Sequence, residues 1–435
     1  IHTLHFSLTY RFLSNEHARL VQISTGIALH LWVTSLTCVL TFFTFALLAI
    51  GLSAHFRREF IAWTLCIGFI IKATEIAPFS TDEYAYFREF NVYLYGAIKI
   101  LNVCIAFCRN PERQLSIDWS LSIAHYLTYL PYSMIIIVLY EVSTVRTFYC
   151  FSYVSQYSEL SLIQIQAIRA GHLFWSSVYT FLIHVIPVGA MFASQAATST
   201  RLNGYQMFSL AYISGKYFYI KYVVIFGLPS LFARIDGMTP PPPPICISRV
   251  SRYSRMWRHF DAGLYSFLKN QVYIPLLTNP YLKAGLGRPL ALVSAFLVVV
   301  AWHGSQRNYV CWVCLSALEL VIERVGVLIW DSHRFQDFRA RIGEVWLRRL
   351  LACCMNLTVA PGILGVFYFL CGEQFGDALV ERVLINGLIG IATLDFSIVN
   401  GVPSAGLVLA HLLALGYFFN QCCLELEFAN RKLPE

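Results

Sequence analysis

Charge is what this sequence has least of. Asp, Glu, Lys and Arg make up 13% of its 435 residues, against 57% apolar and 15% aromatic. A chain with so few solvating groups does not form a water-soluble globule of this size. The alternating ten-residue pattern of a membrane β-barrel is also missing. What remains is an all-α, multi-pass membrane protein, because a bilayer makes each spanning segment satisfy its own backbone hydrogen bonds. There is no GxSxG, no HExxH and no phosphate-binding glycine loop, which removes the motif-borne hydrolase and nucleotide chemistries. No basic patch exists either. The +8 balance sits mainly at the ends of apolar runs, as positive-inside signals and lipid or cofactor contacts, so no nucleic-acid partner is expected. A basic-then-apolar leader and a small-residue cleavage site are absent, and the chain starts at Ile1, so it is expected to be a trimmed sequence missing an early membrane segment. Lys432-Leu433-Pro434-Glu435 is not a retention signal. Cysteine, by contrast, is plentiful at thirteen, but Cys38, Cys66, Cys104, Cys353 and Cys354 lie inside apolar runs, where they act as small apolar fillers. Cys311-Trp312-Val313-Cys314 has no second pair and suggests neither zinc nor redox use.

Several apolar stretches approach the length of a spanning helix. Residues 21–54 read as one tilted helix, ended at a cytoplasmic face by Arg57-Arg58. A short span follows over 59–76, then a polar connection over 78–89, an apolar stretch over 91–108 and a break at 109–113. Pro131 should kink or break 117–140, and 141–171 reads as an interfacial helix. The spans over 172–193 and 207–232 are expected to be interrupted by Pro187 and Pro229, and 350–370, 380–394 and 402–419 close the chain. Broken helices suit a membrane enzyme that encloses water, so about ten transmembrane or re-entrant helices around a central cavity are expected. One domain over 1–435, with its catalytic core at about 217–330, accounts for this pattern.

The informative stretch is 226–309. Asp261 opens an apolar segment there, and His303 closes a run of mostly aliphatic residues. Ionisable groups at membrane depth are costly and count as functional hypotheses. Either one alone also reads as a helix cap or as the wall of a wet crevice; the pair is more telling. Pro240 to Pro244 form a stiff extended connector. Arg249, Arg252, Arg255 and Arg258 follow at a three-residue spacing that, on a helix, would sweep slowly round one side and reach phosphates of coenzyme A or of lipids. The basic loop 283–288 and the Arg-rich loop 331–349 bracket two apolar segments. If both loops are cytoplasmic, 289–303 rises about 22 Å and puts His303 past the bilayer middle. Neutral imidazole there suits a general base for a substrate that reaches it from either side. Glu319 and Glu323, one turn apart, read as helix packing with Arg324 or as facing the cavity. Asn356-Leu357-Thr358 is a glycosylation sequon in an apolar segment, out of reach of the modifying enzyme.

Trp302-His303-Gly304, downstream of Trp257-Arg258-His259-Phe260-Asp261, resembles the membrane-bound O-acyltransferase superfamily. IDGMTPPPPPICIS, MWRHFDAGL and VYIP are similar to its hedgehog acyltransferase branch, closely over 217–330, more faintly from Asp118-Trp119 and over 372–387, and loosely over 1–90. The resemblance implies an enzyme of the endoplasmic reticulum membrane that moves palmitoyl from palmitoyl-CoA to the N-terminal cysteine of a secreted Hedgehog-like protein. It further implies His303 as catalytic base, Asp261 as a second essential polar residue, and Trp257, Arg258 and Trp302 as substrate contacts. Cys246, in Cys246-Ile247-Ser248, would bind haem iron through its thiolate, with Arg249 and Arg252 lowering its pKa or pairing with propionates. The alternatives are a sibling enzyme acting on a serine hydroxyl of a secreted peptide or on a lysolipid, and a non-catalytic membrane relative; the Asp261–His303 pair speaks against the last.

Overall fold

The computed structural model describes residues 2–110, 116–133, 135–140, 162–192, 200–247, 250, 252–282 and 285–432. The expected interfacial helix up to 161, the end of the break at 109–113, Arg249, Lys283 and the last three residues lie outside that description. In chain order the helices are α1 (His2–Phe12), α2 (Asn15–Val33), α3 (Leu36–Phe56), α4 (Glu59–Ile76), α5 (Glu83–Arg109), α6 (Ile117–Thr128), α7 (Leu130–Ser133), α8 (Leu162–Val185), α9 (Val188–Phe192), α10 (Gly204–Ile235), α11 (Tyr253–Phe260) and α12 (Ala262–Phe267). A π-helical segment, Leu268–Tyr273, leads into α13 (Ile274–Leu277), α14 (Gly287–His303), α15 (Arg307–Asp331), α16 (His333–Ile342), α17 (Glu344–Cys354), α18 (Asn356–Cys371) and α19 (Glu373–Leu379). A second π segment, Val380–Ile385, precedes α20 (Asn386–Ala392); a small hairpin of β1 (Ile398–Val399) and β2 (Val402–Pro403) then leads to α21 (Ala405–Lys432).

Helix type and general position follow the apolar pattern, and polar side chains set the ends. The stretch 21–54 is two helices. Ser35 accepts the Cys38 N–H at 3.1 Å and donates to Glu89 at 2.6 Å, which stops α2 and starts α3 at a fixed point. Glu89 itself lies inside α5, whose start at Asp82 leaves less polar connection than 78–89 suggested. Pro131 falls just past the end of α6, and Pro187 separates α8 from α9. Pro229 does not interrupt α10: proline withdraws one N–H from the ladder, and the long apolar flanks hold the rest. The region 331–349 is helical, as α16 and the start of α17, with Ser332 capping α16. Arg252 does not share a helix with Arg255 and Arg258 either, since α11 begins only after it.

Among the described residues, five helical stretches are long and apolar enough to cross a membrane: Leu36–Phe56, Glu83–Arg109, Gly204–Ile235, Glu344–Cys371 and Ala405–Ala429; Gly287–His303 is a shorter apolar helix. The chain divides into two compact units. The first holds residues 1–177, 222–244 and 261–304, and α5 is its spine, burying Tyr93, Ala97, Ile98, Ile100, Leu101, Cys104 and Phe107 against α3 and α4. The second holds 178–221, 245–260 and 305–435; its core is Met207, Leu210, Phe367, Phe375, Leu379, Val383 and Val408, where α10, α18, α19 and α21 meet.

Candidate functional site

Within the first unit, α14 brings His303 to its last position. Gly304 ends the helix directly after it, its N–H on Val300 at 2.8 Å and its φ at 100°, a value that side chains disfavour. Trp302 meets Tyr95 of α5 edge to face, ring centroids 4.8 Å apart. Asp261 sits at the N-cap of α12, where its Oδ1 accepts the Leu264 N–H at 2.9 Å. The same short helix comes so close to the Ile137 carbonyl that a Cβ on Gly263 would collide with it. Asp261 lies within electrostatic reach of Tyr95 and of Tyr222 on α10. A connected neighbourhood results: Asp261, Tyr95 and Tyr222, then Trp302, then His303. Both Asp261 and His303 are half-buried. An imidazole and a carboxyl that keep some exposure can exchange protons with a guest molecule.

The π-helical turn after α12 is tied down by polar contacts. Gln271 donates to Asn102 at 3.2 Å and accepts from Arg109 at 2.7 Å, and Arg109 pairs with Glu59 at 2.9 Å. Such π turns are frequent beside functional sites. Asp236, buried at the end of α10, accepts from the Tyr129 hydroxyl at 2.7 Å and faces the His2 ring nitrogen at 2.9 Å. It fixes the point from which the proline connector starts. Tyr95, Tyr222 and Asp236 escaped the sequence reading. The tyrosines are two among 25, with nothing in their spacing to mark them; Asp236 stood inside IDGMTPPPPP and could have been flagged as an acid at a helix end.

The second unit holds Trp257, Arg258 and Cys246. Trp257 stacks on Trp312 of α15 at 5.5 Å and 18°, Arg258 is exposed, and Phe260, the last residue of α11, stacks on Phe218 of α10 at 5.8 Å. Cys246 is a free, half-buried thiol outside any helix or strand, next to Ile245, whose N–H bonds the His259 carbonyl at 3.0 Å. Arg252 and Arg255 both pair with Glu427 of α21, so their charge is already matched by a carboxylate. Glu323 does not pack with Arg324 as its partner; it accepts the N–H groups of Tyr253 and Ser254, while Glu319 is fully buried against Gly362 of α18. The Asn356 side chain is engaged inside the unit, donating to the Leu413 carbonyl at 3.2 Å.

The pattern of the membrane-bound O-acyltransferase family matches residues 19–359 of the chain. Protein-cysteine N-palmitoyltransferase HHAT of Mus musculus is 27% identical over 350 residues, 77% of this chain and 69% of that protein. Protein-cysteine N-palmitoyltransferase Rasp of Drosophila melanogaster is 33% identical over 189 residues, 43% of this chain and 37% of that protein. The HHAT-like protein of Mus musculus is 26% identical over 302 residues, 67% of this chain and 56% of its own length.

Proposed function

Because the chain belongs to the membrane-bound O-acyltransferase family, we propose that it is a protein-cysteine N-palmitoyltransferase. Its donor is palmitoyl-CoA, and its acceptor is the N-terminal cysteine amine of a secreted Hedgehog-like protein. The relatives named for this activity support the reading. The observation that carries it is His303, half-buried at the end of an apolar helix in one neighbourhood with Asp261.

The thioester is already activated, so the protein has to align the acceptor and manage one proton. The amine nitrogen attacks the thioester carbonyl, His303 takes the amine proton, the C–N bond forms, the C–S bond breaks, and coenzyme A leaves as the thiol when that proton is returned. Asp261 orients the acceptor or the proton path through Tyr95 and Tyr222. Trp302, Trp257 and Arg258 are read as substrate contacts. A secreted acceptor and a cytoplasmic donor meet at the endoplasmic reticulum membrane, and the reading places the enzyme there.

Haem belongs to the same reading. Cys246 suits a single thiolate ligand, being half-open and unbridged. Arg252 does not fit as a propionate partner, since Glu427 already holds it. When bound, the group would supply a structural iron–thiolate link at the start of the segment leading to α11. Purified protein should then show a Soret band that Cys246→Ala removes, and a colourless, active parent rules haem out.

The transfer reading is tested with purified protein, palmitoyl-CoA and a peptide that begins with cysteine, followed by mass spectrometry. The parent should add one palmitoyl to the α-amine, and a monodisperse His303→Ala should lose transfer by at least about a hundredfold. Near-parental turnover by that variant excludes His303 as the base. A serine hydroxyl or a lysolipid acylated in preference to the cysteine amine would favour a sibling specificity.

A further inference from the structure

The helix that leads into Asp261 is held by a carboxylate for which the transfer chemistry has no use. α11 has only eight residues, too few to persist on its own. Like any helix start, it has N–H groups that need acceptors. The residue at its N-cap position is Arg252, whose side chain has donors but no acceptor. Glu323 fills the gap from α15, 70 residues further along the chain. It accepts the Tyr253 N–H, and its two oxygens each lie 3.2 Å from the Ser254 nitrogen. A carboxylate in this place is favoured by the helix dipole and by charge-assisted hydrogen bonds.

Two more contacts come from the same face of α15. The buried Tyr253 hydroxyl pairs with Ser316 at 3.0 Å, and Trp257 stacks on Trp312. Trp312, Ser316 and Glu323 fall at helical spacing along one stripe, so α15 offers α11 a ring, a hydroxyl and a cap in succession. In the chain, α11 ends immediately before Asp261, and α15 begins shortly after His303.

We propose that Glu323 is a positioning residue for acyl transfer: by capping α11 it fixes the helix from which the chain delivers Asp261. This rests on the role given to Asp261 above, so the experiment has one arm that does not read transfer at all. Full-length Glu323→Ala, Glu323→Gln and the double variant Arg252→Ser/Glu323→Ala, which gives α11 a cap of its own, are compared with the parent by hydrogen exchange over 253–260 and by steady-state kinetics.

In Glu323→Ala, exchange at the start of α11 should rise about tenfold and kcat should fall about tenfold, with KM for palmitoyl-CoA within about twofold. Glu323→Gln, whose amide oxygen still accepts an N–H, and the double variant should both regain most of the parental kcat and protection. Unchanged exchange in Glu323→Ala overturns the cap. Raised exchange with parental kcat overturns the positioning role, as does an equal loss in Ala and Gln, which would mark charge as the cause. If Glu323→Ala does not fold, rescue of folding and kcat by Arg252→Ser upholds the proposal, and failure to rescue overturns it. A parent without transferase activity rejects the functional reading, and the exchange arm still judges the cap.

Discussion

Asp261 does at least one thing in plain view: it caps α12 through the Leu264 N–H. The structural and chemical readings of this residue are therefore not rivals, and substitution can separate them. Asparagine caps about as well as aspartate, whereas alanine forfeits the cap and about 0.5–2 kcal/mol of stability. Asp261→Asn should unfold with the parent and transfer acyl groups at an intermediate rate. Asp261→Ala should melt a few degrees lower and lose transfer by about two orders of magnitude. Thermal melts alongside single-turnover assays decide it, and parental rates in both variants would leave Asp261 as a cap alone. Asp261 and His303 were legible because each is an isolated ionisable group in an apolar run, where its cost demands a reason. Tyr95 and Tyr222 were not, since a tyrosine in an apolar helix is ordinary until the fold shows what it faces.

At the scale of elements, the apolar runs announced the helices but not their ends. Ser35 splits one long run because Glu89, far away in sequence, takes its hydroxyl; no local window carries that information. Proline was a good guide at 131 and 187 and a poor one at 229, where packing along α10 outweighs a single lost hydrogen bond. The loop chemistry after α14 is more firmly encoded. Gly304 has φ 100° and ψ 164°, a region occupied almost only by glycine, so Gly304→Ala should cost about 1–3 kcal/mol. Since the residue before it is His303, the strain should appear in turnover as well as in melting. The expected outcome is a lower melting temperature together with a reduced kcat at unchanged protein yield. A variant that melts lower yet turns over like the parent would show that the turn does not aim the imidazole.

At the scale of the whole molecule, scarcity of charge settled the class, and the few charges that exist carry the orientation. α14 spans 17 residues and α15 spans 25, about 25 and 37 Å of helix against a hydrocarbon core of about 30 Å. If the basic segments before α14 and after α15 are both cytoplasmic, the turn at 304–306 is expected to be reached from the opposite face. Arg334, Arg339, Arg341, Arg348 and Arg349 outnumber Asp331, Asp337 and Glu344 beyond α15, an excess from which a cytoplasmic side is expected there. Asp337 and Gln306 are both exposed, so Asp337→Cys and Gln306→Cys make a matched pair of probes once the exposed Cys314, Cys353, Cys354 and Cys422 are replaced. A membrane-impermeant maleimide added from the cytosolic side should label position 337 at once, and position 306 only after the membrane is opened. The proposed transfer from a cytoplasmic thioester to a lumenal amine would need that order, because His303 stands next to the segment that the acceptor would have to reach. Labelling at 306 and not at 337 in sealed vesicles would invert the orientation and separate the imidazole from the side on which a secreted acceptor arrives.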